Sequence, residues 1–297
     1  MQDKNLKNLE DESIAIIRET FANAERPLIL YSIGKDSSVM MHLFKKAFYP
    51  VKVPIKFLHI DTGWKFSEMI KFRDKIFKSS TINGIVYKNL EGERMGINPF
   101  EHENYTDIMK TAALKKYLMN NYHDIVYGGA RRDEEASRSK ERIVSHRDKN
   151  NSWKPLNQNV EPWNIFNTTK LKKESFRVFP ISNWTEVNIW EYIESQNIAV
   201  VPLYFAKKRK VVVSKKGIFL YDDNRFQLER YDEIKTLNVR FRTLGCFPLT
   251  AGIISNARTV KGILEELKKT KLSERSGRLI DFDKQGSMEI KKKEGYF

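Results

Sequence analysis

The stretch Pro27-Leu28-Ile29-Leu30-Tyr31-Ser32-Ile33-Gly34-Lys35-Asp36-Ser37 decides the architecture. Pro27 to Tyr31 is a short, mostly apolar run with the length and composition of a buried strand. Ser32 to Ser37 is a tight polar turn, and from Ser38 onward Val39, Leu43, Phe44 and Ala47 recur at helical spacing. Strand, glycine-bearing turn and helix, in that order, make a place for an anion. Amide N–H groups at the helix start point at it, and the helix dipole favours it. Gly34 is expected to supply a positive φ and to let a ligand approach the backbone. Lys35 can place a charge on a phosphate. Ser32 and Ser37 offer hydroxyls, and Asp36 can cap the helix or hold a cation. A G-x-x-x-x-G-K-[ST] loop is excluded, because Ile29 and Asp36 occupy positions where that motif needs Gly and Ser or Thr.

The strand-helix alternation continues outward from this stretch. Residues 7–24 carry an amphipathic pattern ahead of the first strand. Ile55 to Asp61 reads as a second strand ending in Asp61-Thr62-Gly63, followed by a helix over 66–77. Ile85 to Tyr87 is a third strand. Residues 90–104 read as a loop and 106–122 as a helix. Ile125 to Tyr127 is a fourth strand, running into Gly128-Gly129-Ala130-Arg131-Arg132-Asp133-Glu134-Glu135. Residues 137–175 are polar and irregular. Phe176 to Ile181 is a fifth strand, and Asn183 is placed to cap the next helix, with Glu186 three residues later. Five strands alternating with helices predict an α/β fold, a five-stranded parallel sheet with helices on both faces. In such sheets ligands meet the carboxyl ends of the strands. That collects loop 32–37, Asp61, Gly128, Gly129, Arg131 and Arg132 at one mouth. The glycines admit a ligand to the backbone, and the arginine forks suit phosphate or sulfate. Asp61 also has a structural reading, as a capping carboxylate before a turn glycine.

After Pro202 the pattern changes. Lys210 to Tyr221 reads as a hairpin around Lys216-Gly217, Thr259 to Leu267 as a helix, and Ser273 to Phe297 as a charged, glycine-dotted tail. Residues 1–202 are therefore expected to form a nucleotide-binding domain and 203–297 a C-terminal extension. Cys246 lies in Arg240-Phe-Arg-Thr-Leu-Gly-Cys-Phe-Pro-Leu-Thr250. It reads either as a nucleophile or as a small buried apolar residue, and its apolar setting favours the second.

Composition limits the function classes. Lys and Arg number 53 against 38 Asp and Glu, a net charge of +15, which suits anionic ligands without choosing among nucleotides, sulfate, nucleic acid or an acidic protein face. A single cysteine rules out an intrachain disulfide framework and cysteine-pair redox chemistry. The five histidines form no H-E-x-x-H pair. No apolar run is long enough for a membrane span, and Met1 to Asn8 lacks a signal-peptide core, so a cytoplasmic protein is expected.

The run Ser32 to Ser37 resembles the S-x-G-x-D-S loop of the PP-loop ATP pyrophosphatases, which cleave ATP between the α- and β-phosphates. The chain as a whole is similar to the family of small subunits of heterodimeric bacterial sulfate adenylyltransferases. Carrying that resemblance are Leu30-Tyr-Ser-Ile-Gly-Lys-Asp-Ser37, His59-Ile-Asp-Thr-Gly-Trp-Lys-Phe66, Met95-Gly-Ile-Asn-Pro-Phe100 and Thr106-Asp-Ile-Met-Lys-Thr111. It continues through Gly128 to Glu135, Phe179-Pro-Ile-Ser-Asn-Trp-Thr-Glu186, Val201-Pro-Leu-Tyr-Phe205, Arg240 to Thr250, Gly286-Ser-Met-Glu289 and Lys291 to Phe297. The resemblance implies a Rossmann-like adenine-nucleotide α-hydrolase fold. It also implies conversion of ATP and sulfate to adenosine 5′-phosphosulfate and diphosphate, Mg²⁺ accompanying ATP, and a GTPase large subunit that is elongation-factor-like. Within it, Ser32, Gly34, Lys35 and Ser37 would hold the β- and γ-phosphates. Asp36 or Asp61 would place Mg²⁺ or adenosine. Arg131 and Arg132 would hold sulfate or the α-phosphate, with Gly128 and Gly129 against ATP. The tail would close over the site or dock the partner. Reductases of adenylyl sulfates look similar in the core but use a cysteine near the C-terminus, and residues 251–297 contain none. A tRNA-modifying PP-loop enzyme usually needs further cysteines or an RNA-binding domain. A basic nucleic-acid-binding module would lack a use for the intact loop, so neither nucleic acid nor membrane is expected as a partner.

Overall fold

The computed structural model describes residues 3–79, 81–134 and 136–269. In chain order the elements begin with α1 (Lys4–Ala22), β1 (Pro27–Leu30), α2 (Lys35–Phe48), β2 (Lys56–Asp61), α3 (Ser67–Phe77), β3 (Asn83–Lys88) and α4 (Leu90–Arg94). A π-helical turn (Asp107–Ala112) runs into α5 (Ala113–Asn120), followed by β4 (Ile125–Tyr127), α6 (Ala136–Ser139), β5 (Val144–Arg147), β6 (Ser175–Val178) and α7 (Glu186–Ser195). The remainder is β7 (Lys207–Ser214), β8 (Gly217–Leu220), β9 (Glu233–Arg240), β10 (Ile253–Ile254) and α8 (Val260–Lys269).

The first sheet has the order β3-β2-β1-β4-β6-β5. The five expected strands are present and mutually parallel. The sheet nevertheless has six strands, not five, because β5 pairs antiparallel to β6 at the edge. Val144-Ser-His-Arg147 lies inside the stretch read as irregular. Its three polar side chains and single strong β-former hide a strand that is held by its neighbour. Likewise α4 forms within the 90–104 loop, and the helix beginning near Thr106 opens on a π turn. The helix after the fifth strand is capped by Thr185 rather than Asn183. The Thr185 hydroxyl accepts from the Asn188 amide, and the Asn188 side chain answers the Thr185 amide. Asn183 turns instead to Arg132 and Glu12.

The period of two along β1 divides its side chains between two cores. Ile29 and Tyr31 join Ile16 and Ile17 of α1 and Val39, Leu43 and Phe44 of α2. Leu28 joins Leu58, Val126 and the α5 residues Leu114 and Leu118 on the opposite face. Helices therefore cover both faces, as the strand-helix alternation requires. The second sheet, β10-β9-β7-β8, is antiparallel. Its hairpin matches the one expected over 210–221, whereas β9, which is largely exposed at its start, was not anticipated. Leu220, Phe241 and Phe247 from this region enter the same core as α1 and α2, and the Phe241 ring packs 5.1 Å from Phe66, the N-cap of α3. The expected tail, with Gly286-Ser-Met-Glu289 and Lys291 to Phe297, lies outside the described residues.

Candidate functional site

Chain order and sheet order diverge at one point. From β1 the chain steps outward to β2 and β3, then returns past β1 to β4 on its other side. The loops leaving β1 and β4 consequently part in opposite directions and open a crevice at the carboxyl ends of the strands. The Ser32–Ser37 turn and the Gly128–Glu134 segment flank that crevice.

Gly34 is the N-cap of α2 and is extended, with φ −71° and ψ 170°. The positive φ expected there falls on Ile33 instead, at 69°. A β-branched residue in the left-handed region is strained by about 1–3 kcal/mol and is held there by surrounding packing. Ile33 is fully buried, which supplies that packing. A Cβ at Gly34 would lie 3.4 Å from both Ser32 Oγ and the Tyr204 hydroxyl, an ordinary contact distance, so the room around it does not by itself demand glycine. The Tyr204 hydroxyl accepts the Lys35 amide at 2.8 Å. Sequence reasoning missed this residue. The only local signal was its position in the matching run Val201 to Phe205, and its contact spans 169 residues. Ser37 Oγ donates to the Gly34 carbonyl at 2.9 Å, and Ser32 Oγ lies 3.3 Å from Ser37 Oγ.

The two flanking loops are tied by charge. Lys35 is buried and its ammonium lies 3.2 Å from Asp36 Oδ2. Arg131, also buried, donates from Nε to Asp36 Oδ1 at 2.7 Å and from Nη1 to Asp133 at 3.3 Å. Burial alone would raise the Asp36 carboxyl, but the charges of Lys35 and Arg131 outweigh it and hold it at about 2. Gly129 packs on the same turn. A Cβ at Gly129 would stand 3.5 Å from the Ser37 amide, one of the first-turn N–H groups that a helix leaves without an internal acceptor. The Gly128 amide is used by the sheet ladder, donating to the Val178 carbonyl at 2.9 Å.

Lys35, Asp36, Ser37, Gly129 and Arg131 are thus brought together; Arg132 and Asp61 are not part of that contact set. Arg132 is half-buried and turns toward β6, donating to Asn183 Oδ1 and the Glu141 carbonyl. Both are neutral oxygens. Asp61 accepts from the Gly63 amide at 2.9 Å and from Arg73 Nη1 at 2.9 Å, so its carboxylate is committed to its own turn and to α3. Burial pushes its pKa up, and these two partners pull it below the usual carboxylate range. Gly63 has φ 77°, a true left-handed turn. Asp36 makes a poor protein ligand for Mg²⁺ in this arrangement, because each oxygen already faces a cation. Among the described residues no group of three or more His, Cys, Asp or Glu could hold a metal ion.

Beside Asp61, Cys246 is buried with Tyr105 and Met109. Its Sγ lies 3.4 Å from Thr62 Oγ1 and 3.7 Å from Lys65 Nζ. Burial pushes the thiol up, and Lys65 with the Thr62 bond brings it below its ordinary value. The residue is apolar-packed, as favoured, yet electrostatically tuned.

A family model for the phosphoadenosine phosphosulfate reductase domain matches residues 26–252. A protein of Aliivibrio fischeri (strain MJ11) described as sulfate adenylyltransferase subunit 2 is 54% identical over 295 residues, covering 99% of this chain and 98% of that protein. One of Aeromonas salmonicida (strain A449) with the same description is 55% identical over 296 residues, covering 99% and 96%. Among solved structures, Candida glabrata FMN adenylyltransferase superposes with a TM-score of 0.50 at 16% identity, covering 93% of this chain and 88% of that one, a likeness of fold.

Proposed function

We propose a function from the premise that the chain belongs to the sulfate adenylyltransferase subunit 2 family: it transfers the adenylyl group of ATP to sulfate, giving adenosine 5′-phosphosulfate and diphosphate. The partner is a GTPase subunit whose hydrolysis of GTP drives the unfavourable equilibrium. The observation that carries the reading is the junction of the β1 and β4 loops, where Arg131 and Lys35 meet Asp36 at the start of α2. Two buried cations and a helix N-terminus at a switch point suit a polyphosphate.

Sulfate is a weak nucleophile, so the catalysis required is alignment and charge stabilisation. In this reading the β- and γ-phosphates lie against the 34–37 backbone and Ser32, with Lys35 and Arg131 transferring part of their attraction from Asp36 to the phosphates. Gly129 leaves the room for that approach. Arg132, whose hydrogen-bond partners are neutral oxygens, is assigned to sulfate on the β6 side. Mg²⁺ arrives on the ATP phosphates, keeping several waters; no protein ligand is assigned to it. No described helix is long and apolar enough to cross a membrane.

The test is pyrophosphate release from ATP by the full chain with its GTPase partner. Release that requires sulfate and rises with GTP supports the reading. Release without sulfate, or only with RNA present, replaces it.

A further inference from the structure

One edge of the first sheet is β5, and side chains of the following segment block it. Glu161 accepts the Val144 amide at 2.7 Å and the Ile143 amide at 3.3 Å, and Gln158 accepts the His146 amide at 2.9 Å. Trp153 and Phe166 bury themselves under the same segment, and the Phe166 amide donates to Glu19 of α1 at 2.9 Å. The backbone of 153–166 is therefore fastened at several points, and addition of a foreign strand at β5 is prevented.

Fastening leaves other side chains of the segment pointing outward. Leu156 is 98% exposed and Trp163 88%, with Val160, Ile165 and Leu171 also exposed. Five of the fifteen large exposed apolar residues among the described residues fall within these sixteen positions, a concentration that scattered surface exposure does not explain. Trp163 sits at φ 52° and Asn164 at φ 57°, so a strained turn holds an indole in water. Beyond it, residues 166–173 wall a cavity of 520 Å³ with Asn23, Glu25 and Tyr122. Those last three precede β1 and β4, so the cavity lies at the amino ends of the strands, opposite the crevice.

Charge narrows the occupant. Lys172 and Lys173 are exposed at this rim and make no ion pair among the described residues, whereas Lys170 is held by Asp124 and Lys154 by Asp148. A second copy would bring the same unpaired lysines to the contact. The chain's own residues 270–297 carry more Lys and Arg than Asp and Glu and are disfavoured for the same reason. We propose that the outward face of residues 156–173 seats an acidic-rimmed, apolar-centred surface of another protein, the GTPase subunit of the proposed reaction, with Trp163 as the central anchor. This rests on that assignment of the partner. An indole with an apolar surround and a charged rim is the composition in which few residues dominate affinity.

The experiment titrates the full chain with the purified GTPase subunit and measures the dissociation constant alongside thermal melting of the chain. Trp163→Asn keeps a residue that tolerates the left-handed backbone. It should weaken binding at least tenfold while the melting midpoint holds. K172E/K173E should weaken it severalfold, more at low salt. Met119→Asn, at an exposed apolar site on α5, should leave binding unchanged. If wild type binds and both Trp163→Asn and K172E/K173E bind equally well, the docking face is wrong and the partner assignment survives. If wild type does not bind the GTPase subunit at all, the partner assignment fails and the docking proposal with it. Should Trp163→Asn melt early, the lysine pair decides alone. Loss of self-association or of vesicle or RNA binding in Trp163→Asn, without loss of subunit binding, also overturns the proposal.

Discussion

Two clusters in this molecule set buried cations against one carboxylate, and they differ in what remains open. At the crevice, Lys35 and Arg131 share Asp36, whose side chain keeps about a fifth of its surface accessible. At the β5 edge, Arg147 meets Glu141 at 2.7 Å, with Arg177 close behind, and the Nη groups of the two arginines donate further to Ser145, the His146 carbonyl, Ser175 and Asn151. Neither Arg147 nor Glu141 reaches solvent. Burial and neighbouring Arg147 lower the proton affinity of Arg177. A closed cluster braces the edge strand. An open one can exchange its carboxylate for an arriving anion. The lesson is that similar ion pairs acquire different uses according to whether a competing charge can enter.

The sharpest break of this contrast is Arg147→Ala. Stranding Glu141 in the interior should cost about 3–5 kcal/mol, read as a lower denaturation midpoint, with nucleotide affinity retained by the folded fraction. Arg131→Lys should do the reverse. It should keep most of the stability and lower sulfate-dependent turnover by about 10²–10³-fold, since a point charge replaces a fork aimed at developing charge. Exchange of these two phenotypes would show the contrast to be misassigned. Gly129→Ala sharpens the crevice side alone. Its methyl fits at 3.4 Å from the Asp36 backbone but stands over the Ser37 amide, so the KM for ATP should rise about tenfold with melting unchanged.

A pH scan separates the crevice from its neighbourhood. Asp36, held near 2, contributes stability above its unfolded value and loses it only as pH falls through about 2. His59 differs. Burial, with Lys65 adding, lowers it to about 3, although its Nδ1–H donates to the Tyr31 carbonyl at 2.9 Å. Between 6.5 and 3 the unfolded chain binds a proton that the folded chain refuses, so stability falls on acidification by at most about 1.4 kcal/mol per pH unit. His59→Gln should flatten the loss between pH 6.5 and 5; an unchanged slope would locate the titrating group elsewhere.

Much of the fold was legible because its evidence is local. The apolar run Pro27–Tyr31, the polar turn after it and the helical spacing of Val39, Leu43 and Phe44 are each set within a few residues. Strand β5 was not legible, since Val144 to Arg147 is a strand by virtue of β6 and of a carboxylate and an amide group that lie 17 and 12 residues from the amides they bind. The site divides similarly. Lys35, Asp36 and Arg131 were named from loop chemistry and the structure joins them. Their pairing with one another, the left-handed Ile33, the hydroxyl of Tyr204 and the separation of Arg132 from Arg131 depend on packing across the chain. Gly34 was singled out for freedom of backbone, but its backbone is extended and a Cβ there would meet its neighbours at ordinary contact distance.

The side-chain seal on β5 also bears on the life of the chain before assembly. With the proposed partner absent, the chain waits with Leu156, Val160 and Trp163 in water. With Glu161 and Gln158 already bound to the edge amides, a waiting copy offers other copies greasy side chains but no backbone template at β5. Encounters there are reversible sticking, which dilution undoes, instead of the templated growth of stacked strands that it does not.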